Sequence, residues 1–318
     1  MTKKKLGSRQ RQQLTVIFAF TVIPLFLLIL FTYYPFCKMV QFSFYNMKYI
    51  GPRKFIGLRN YIQVFKRDDI IRTMLLSLYY MAGSVVQIGL ALYIATVFCF
   101  KVKAENLWKG FLFFPYMING IAIGFIFKFF YTRGFVLDTV LQALGFDLNN
   151  LPYWLKDQAI NNWSLVFSSV WRYLGSTMVL FLGAMMSVDT TLYEAAAMDG
   201  ANKWQTFKHI ILPSIKTIVT LNIILSITGS LSAFEPPYVI TSGANGTGTF
   251  FVVMNDIAHT SQKVGLASAM AVFLLVVIFI AKMLQDLLFK YIFRNVNADD
   301  ESHEAKKRHK KTALERGV

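Results

Sequence analysis

The side chains able to do chemistry in this chain of 318 residues are few. Their spacing points to contact and charge pairing rather than to bond-making. The densest polar stretch is Tyr193-Glu194-Ala195-Ala196-Ala197-Met198-Asp199-Gly200-Ala201, which runs on to Ile210-Ile211-Leu212-Pro213 and lies between apolar runs. Thr191 precedes Glu194 by three residues, the spacing of a capping box. The alanines carry a helix forward, and Gly200 suits the residue that closes it. Asn202 followed by Gln205 repeats the start signal. In the second helix Trp204, Phe207 and Ile211 recur at intervals of three and four and so share a face. Pro213 ends it, because its ring disfavours helix at the residue before. The expected unit is helix, sharp glycine turn, helix. It would offer a small apolar face ringed by charge to a groove on a partner. An ordinary connecting loop on a membrane surface fits the same pattern, and the residues alone leave both readings open.

A second set of polar residues falls in or beside apolar segments: Lys128, Arg172 and Glu235. Charge in hydrocarbon costs at least ~2.5 kcal/mol per residue, so such groups usually face a bundle interior or a water-filled path. Glu235 sits beside Pro236-Pro237, where a helix must break. A broken helix at membrane depth is tolerated where it lines a cavity. Arg172 is expected to pair with an acid, Glu235 included. Two roles stand for Glu235: a place on a solute pathway, or structural pairing at the end of a span. Lys128 is expected to snorkel to the outer interface. Candidate solute contacts are Asn119, Asn222, Ser226 and Ser230, although polar residues in spans also glue helices together. Gly120, Gly124 and Gly183 are expected to allow close helix packing.

The elements that must hold these residues are membrane helices. Hydrophobic residues make up 55% of the chain, charged residues only 16%, and the mean hydropathy is +0.46. A soluble domain carries about 25% charged residues. Six apolar segments approach the ~20 residues a span needs: about 15–37, 74–99, 108–131, 163–186, 215–240 and 264–292. With no water in the bilayer core they must be helical. The fold class expected is all-α, a polytopic membrane protein of about six spans. Residues 1–14 form a basic N-terminal tail, 15–292 the transmembrane domain with the polar loop at about 187–214, and 293–318 a charged C-terminal tail. The first apolar run is too long for the core of a cleaved signal and reads as an uncleaved span.

Orientation follows from Lys and Arg. Segments that lie inside when the N-terminus is inside hold 20, the others 11, which places both termini in the cytoplasm. The first outer loop, 38–72, runs against this trend with eight basic residues. Ile62, Phe65 and Ile70 alternate there with charge, as in an interfacial helix. The turn-rich segments 132–162 and 241–250 read as outer loops, the second as a flexible turn. The segment from Asp299 to Val318, with its cluster Lys306, Lys307, Arg308, Lys310 and Lys311, reads either as a solvated, disordered end or as a contact for anionic lipid.

The net charge of +16 sits mainly in tails and loops, so membrane lipid and not nucleic acid is the expected partner. No GxxxxGK[ST] phosphate loop occurs. Cys37 and Cys99 lack metal-ligand spacing and read as small apolar fillers. No catalytic residue, metal, cofactor or enzymatic role is expected.

The polar loop also resembles the EAA loop of permease subunits in ATP-binding-cassette (ABC) importers. That family's pattern is EAA, two residues, DGA, then a hydrophobic stretch ending in I-x-LP. Glu194-Ala195-Ala196, Asp199-Gly200-Ala201, Phe207, Ile210 and Leu212-Pro213 match it in type and spacing. Lys216 departs from it, since many members have a second proline there. Weaker matches are Gly57-Leu58-Arg59-Asn60-Tyr61, Phe114-Pro115-Tyr116 with Gly124 and Lys128, Pro237-Tyr238-Val239-Ile240-Thr241-Ser242-Gly243, and Gly265-Leu266-Ala267-Ser268-Ala269. Ser77, where many relatives have Asn-Thr, is a minor departure. Together they cover about residues 55–290 and resemble the carbohydrate-uptake branch, of maltose, multiple-sugar or glycerol-phosphate type. The resemblance implies a prokaryotic cell-membrane permease that forms half of an alternating-access pathway for a sugar or oligosaccharide. Its implied partners are a separate ABC ATPase, a second homologous permease in a heterodimer, and an extracytoplasmic solute-binding protein. The EAA loop would dock on the ATPase, with Glu194 and Gly200 shaping it and Trp204 and Phe207 as apolar contacts. The rival is a self-sufficient secondary transporter or channel, which predicts inverted repeats and discontinuous helices in both halves; no such symmetry is visible. A membrane scaffold or sensor would need a sizeable soluble domain.

Overall fold

The structure, a computed structural model, describes the backbone of residues 8–100 and 102–315, and their side chains except at 8, 10, 11, 14, 15 and 291–315. The basic start at 3–5 and the side chains of the basic cluster at 306–311 lie outside the described residues. Among the described residues, five helical stretches are long and apolar enough to cross a bilayer: Val16–Phe42, Asp68–Cys99, Asn161–Met186, Lys216–Val239 and Val264–Lys290. The pair Glu105–Met117 and Gly120–Tyr131 makes a sixth if taken as one bent span. The expected spans are thus present, with one important difference. The third is not a straight helix over 108–131 but is bent by 97° at its middle.

In chain order the first helices are α1 (Ser8–Leu28) and α2 (Tyr34–Phe42), joined by a π-helical turn at Ile29–Tyr33. A small antiparallel hairpin follows, β1 (Tyr45–Asn46) with β2 (Lys54–Phe55). The basic first loop then forms α3 (Arg59–Lys66) and α4 (Asp68–Leu75), so its charge-alternating part is helical as expected. Ile70 is fully buried, whereas Ile62 and Phe65 are exposed. Next come α5 (Ser77–Cys99), α6 (Glu105–Met117), α7 (Gly120–Tyr131), α8 (Val136–Ala143) and α9 (Asn161–Met186). The polar loop contains α10 (Thr190–Met198), α11 (Lys203–Thr206), a π turn (Phe207–Ile211) and α12 (Leu212–Ser214). The chain finishes with α13 (Lys216–Leu231), α14 (Glu235–Val239), α15 (Phe250–His259) and α16 (Val264–Glu315).

The helix α16 carries through the charged segment that composition alone suggests is disordered. No Gly or Pro occurs from Leu266 to Glu315, and Ala, Glu, Lys and Arg are strong helix formers. Each π turn precedes a proline by two residues, Pro35 and Pro213. Proline removes the bond to the carbonyl four back and crowds it. A wider i→i−5 turn takes up that misfit, and here Tyr34 N–H donates to Ile29 O and Leu212 N–H to Phe207 O.

The chain divides into two compact units, Met1–Asp68 with Met254–Phe273, and Asp69–Val253 with Leu274–Val318. In the larger unit α5 and α9 pack along their length, and α6 and α13 lean on them. One core cluster joins Ala91 and Ala95 of α5, Met178, Phe181 and Met185 of α9, and Ile211 and Ile215 of the polar loop. A second joins Tyr80, Ile123, Phe127, Leu165, Ala233 and Ile240. The loops of this unit are ordered by side chains. Asp138 is fully buried; it accepts from the Trp154 indole at 2.8 Å and from Gly134 N–H at 2.7 Å, and faces Arg133 at 3.7 Å. Segment 241–250 is not the free turn expected. Asn245 donates to Leu155 O at 3.1 Å and accepts, through its own carbonyl, from Asn161 at 2.7 Å, while Thr247 and Thr249 are buried. Side-chain amides that hold a turn look, in sequence, like the amides of a solvated one.

In the smaller unit two of the weaker motifs meet. Buried Asn60, from the Gly57–Tyr61 segment, donates to the carbonyls of Ser43 at 2.8 Å and Tyr45 at 3.0 Å. Gly265, from the segment opening α16, lies so close to the Tyr45 carbonyl that a Cβ would collide with it. Both motifs therefore brace the same piece of backbone. Gly265→Ala should cost about 1–3 kcal/mol through overpacking against a backbone atom that cannot swing away. A melt of the detergent-solubilised protein checks this, and an unchanged Tm would contradict the packing described.

Candidate functional site

The polar loop is closed at every joint by hydrogen bonds. The first helix is not started by the expected Thr191–Glu194 box. Asp189 is the N-cap, and its carboxylate accepts from Thr191 N–H at 2.9 Å, so Thr191 already lies inside α10. An Asp two residues upstream offers a better acceptor than a Thr hydroxyl. The far end closes as a full Schellman motif. Gly200 has φ +76°, Ala201 N–H donates to Ala196 O at 2.9 Å, and Gly200 N–H to Ala197 O at 3.1 Å. The second helix starts with the expected reciprocal box. Gln205 N–H donates to the Asn202 side chain at 2.9 Å, and Asn202 N–H to the Gln205 side chain at 2.8 Å.

Beyond the box the expected shared face splits. Trp204 and Phe207 stack, with ring centroids 5.5 Å apart and 28° between planes. Trp204 is exposed, but Ile211 is buried in the core cluster. Phe207 bridges the two: half-buried, it packs on the cluster that holds Ile211 as well as on the Trp204 ring. Glu194, Ala195, Asp199, Gly200 and Pro213 are exposed, Ala196 is buried, and Ala201, Ile210 and Leu212 are half-buried. The outward apolar residues include Leu192, Met198 and Trp204, of which Met198 is 88% exposed. Sequence reasoning missed Leu192 and Met198, because an apolar residue in a short helix gives no sign of which way it faces. The loop is tied to α9 by Tyr193, whose hydroxyl donates to Met185 O at 3.1 Å. Burial, with help from the neighbouring Cys99, pushes the Tyr193 phenol up to about 12. The Asp189 carboxyl is held below its usual range, first by the Thr191 N–H and then by the Thr191 hydroxyl.

The polar residues of the spans gather at a cavity of about 500 Å³ inside the larger unit. Its walls include Asn222, Ser226, Ser230, Arg172 and Glu235, so four of the five expected pathway residues come together. Asn119 does not line it. Its side chain caps α7 by accepting from Ile121 N–H at 2.9 Å. Asn222 and Ser230 are themselves partly occupied by their own helix, donating to Ile218 O at 2.9 Å and Ser226 O at 2.7 Å. The Arg172–Glu235 pair is formed as expected. Glu235 opens α14 after a break at Ser232–Phe234, as its prolines demand. Gly120, the first residue of α7, lies against both members of the pair, and a Cβ there would meet the Glu235 carboxylate and the Arg172 guanidinium. A Cβ at Gly124 would come within 2.6 Å of Val239, so both glycines serve close packing. Gly183 does not: it is exposed, with nothing near the position of a Cβ.

The family model for the binding-protein-dependent transport system inner membrane component matches residues 87–294. The chain belongs to this family. It is 30% identical over 278 residues to the Bacillus subtilis protein YurN, described as a probable ABC transporter permease, covering 85% of this chain and 94% of that one. It is 28% identical over 279 residues to the multiple sugar-binding transport system permease protein MsmF of Streptococcus mutans, covering 85% and 94%. Its fold is similar to that of a chain in the crystal structure of a bacterial ABC transporter involved in the import of the acidic polysaccharide alginate. That match has a TM-score of 0.76 at 18% identity and covers 88% of this chain and 97% of that one. This ABC importer permease is a multi-pass membrane protein whose transport depends on a solute-binding protein and draws its energy from a separate ATPase. Membership also decides against the self-sufficient transporter, although the permease does contain two of the broken helices which that rival expected.

The cap makes a prediction with a definite sign. Because the Asp189 carboxyl is lowered in the folded loop, its contribution is full above the ordinary carboxylate range and is lost as pH falls through the lowered value. Asp189→Asn keeps an acceptor but cannot titrate. Amide-exchange protection factors in the first turn of α10 should fall on acidification in the wild type and stay level in the variant. Wild-type protection that is flat down to strong acid would refute the assignment.

Proposed function

We propose that this permease forms half of an alternating-access pathway for a sugar or oligosaccharide, beside a second homologous permease, with both termini in the cytoplasm. Its polar loop docks on the ATPase. The observation that carries the reading is the loop's construction: two short helices fixed across a left-handed glycine, apolar side chains facing outward, and Ile211 and Ile215 anchored in the core. Such a unit can take a push from a partner without melting, because each of its joints is already hydrogen-bonded. Glu194 and Asp199 supply charge beside the exposed Met198 and Trp204, as a contact inserted into a polar-rimmed groove requires. The saccharide is suggested by relatives such as MsmF, which belongs to a multiple sugar-binding system, and by the hydroxyl-rich cavity. Glu194, Ala195, Ala196, Asp199, Gly200, Ala201, Trp204, Phe207, Ile210, Leu212 and Pro213 make up the docking segment. Asn222, Ser226, Ser230 and Glu235 belong to the pathway, and Asn119 shapes it by capping α7.

Gly200→Pro cannot keep φ +76° and loses the N–H that donates to Ala197. Glu194→Arg reverses charge on the exposed side of α10. Both variants should insert normally yet fail to co-purify with the ATPase, and uptake should fall at least tenfold. Co-purification and uptake at wild-type levels in both would overturn the docking role.

A further inference from the structure

We propose that the Arg172–Glu235 pair sets the charge selectivity of the cavity, so that it accepts uncharged polyhydroxylated solutes and turns anionic ones away. The inference rests on the saccharide-import reading above and narrows it. Among the described residues, Arg172 and Glu235 are the only ones lining the cavity with a formal charge, and they neutralise one another. They are not equally presented. The Glu235 side chain is 41% exposed and that of Arg172 only 16%. The guanidinium is covered by the Tyr173 ring, with Cζ 5.1 Å from its centroid, and is already engaged by the carboxylate. What the cavity shows a solute is therefore a carboxylate edge, an acceptor with no proton to give.

Sugar hydroxyls are donors and can form charge-assisted bonds to that edge. A uronate or phosphate placed there would meet a like charge at reduced dielectric and could reach little of the guanidinium, whose Nη1 is bonded to Glu235 and whose Nε, without a partner among the described residues, is buried. The rest of the wall suits a neutral ring. Tyr116 and Tyr173, centroids 6.0 Å apart, offer apolar faces, and Ser84, Ser176 and Ser226 offer hydroxyls. The Tyr80 hydroxyl, buried at the cavity, makes no hydrogen bond among the described residues and so has a donor to spare. Both members of the pair lie against Gly120, whose missing side chain leaves them the room to meet. The volume, about 500 Å³, lies within the range of small-molecule sites.

The test uses the whole assembly. The permease complex, purified with its ATPase, is titrated by calorimetry with neutral oligosaccharides of glucose, galactose, mannose and xylose, and with oligogalacturonates and hexose phosphates of matched size. The binding protein is left out of this measurement so that its own preference does not enter. The wild type should bind a neutral member at least tenfold tighter than any anionic one. Glu235→Gln should weaken the neutral ligand at least fivefold and strengthen the anionic ones, while Glu235→Asp should keep the wild-type order. Anionic ligands bound as well as neutral ones by the wild type would overturn the proposal and leave saccharide import standing. A Glu235→Gln complex that assembles with its ATPase and keeps the wild-type ratio would do the same. Binding of no member of either panel would overturn the proposal, while uptake of the neutral members in the presence of the binding protein decides the saccharide reading separately. Should Glu235→Gln fail to assemble, the wild-type comparison still decides.

Discussion

A bilayer offers no partner to a free backbone N–H or C=O, so every departure from regular helix inside it has to be accounted for. The larger unit of this permease departs twice, between α6 and α7 and between α13 and α14. The two breaks lie together. Gly120, at the start of α7, touches both Glu235, at the start of α14, and Arg172 on α9. At the first break the Asn119 side chain takes up an orphan N–H of α7. At the second, Pro236 and Pro237 have no N–H to satisfy. One ion pair then ties the start of α14 to the middle of α9. The cavity exists because these helices stop there, and the charge that would otherwise be intolerable at such a site is cancelled where they stop.

How much of this can be read in the residues follows from range. Spans are legible because hydropathy is a sum over ~20 residues. The Arg172–Glu235 pair is legible because two isolated opposite charges in apolar helices have few other partners. The Gly200 turn and the Asn202–Gln205 box are legible because both are short-range rules. The 97° bend is hidden for the reason that makes the span visible: a window over 108–131 averages across Asn119 and counts only apolar length. The π turn is hidden too, since Pro213 marks a helix end in sequence but here distorts the turn before it. Asp138 reads as an ordinary loop acid, and only the Trp154 indole and Gly134 amide, 16 and 4 residues away, make it a buried anchor.

The loop and the cavity are joined by the same helices. Ile211 and Ile215 sit in one core cluster with Phe181 and Met185 of α9, and Tyr193 is hydrogen-bonded to Met185. Arg172 lies further along α9, and α13 leads from the loop to the break before Glu235. Well-packed interiors transmit displacement because they have little free volume to absorb it. A rigid loop docked on a moving ATPase would therefore act on α9, which carries Arg172 at its middle, and on α13, which leads to the break before Glu235. A flexible loop would dissipate the same motion. On the docking reading proposed above, the Schellman closure and the capping box would keep the loop rigid and leave Glu194, Asp199 and the exposed apolar side chains for a partner.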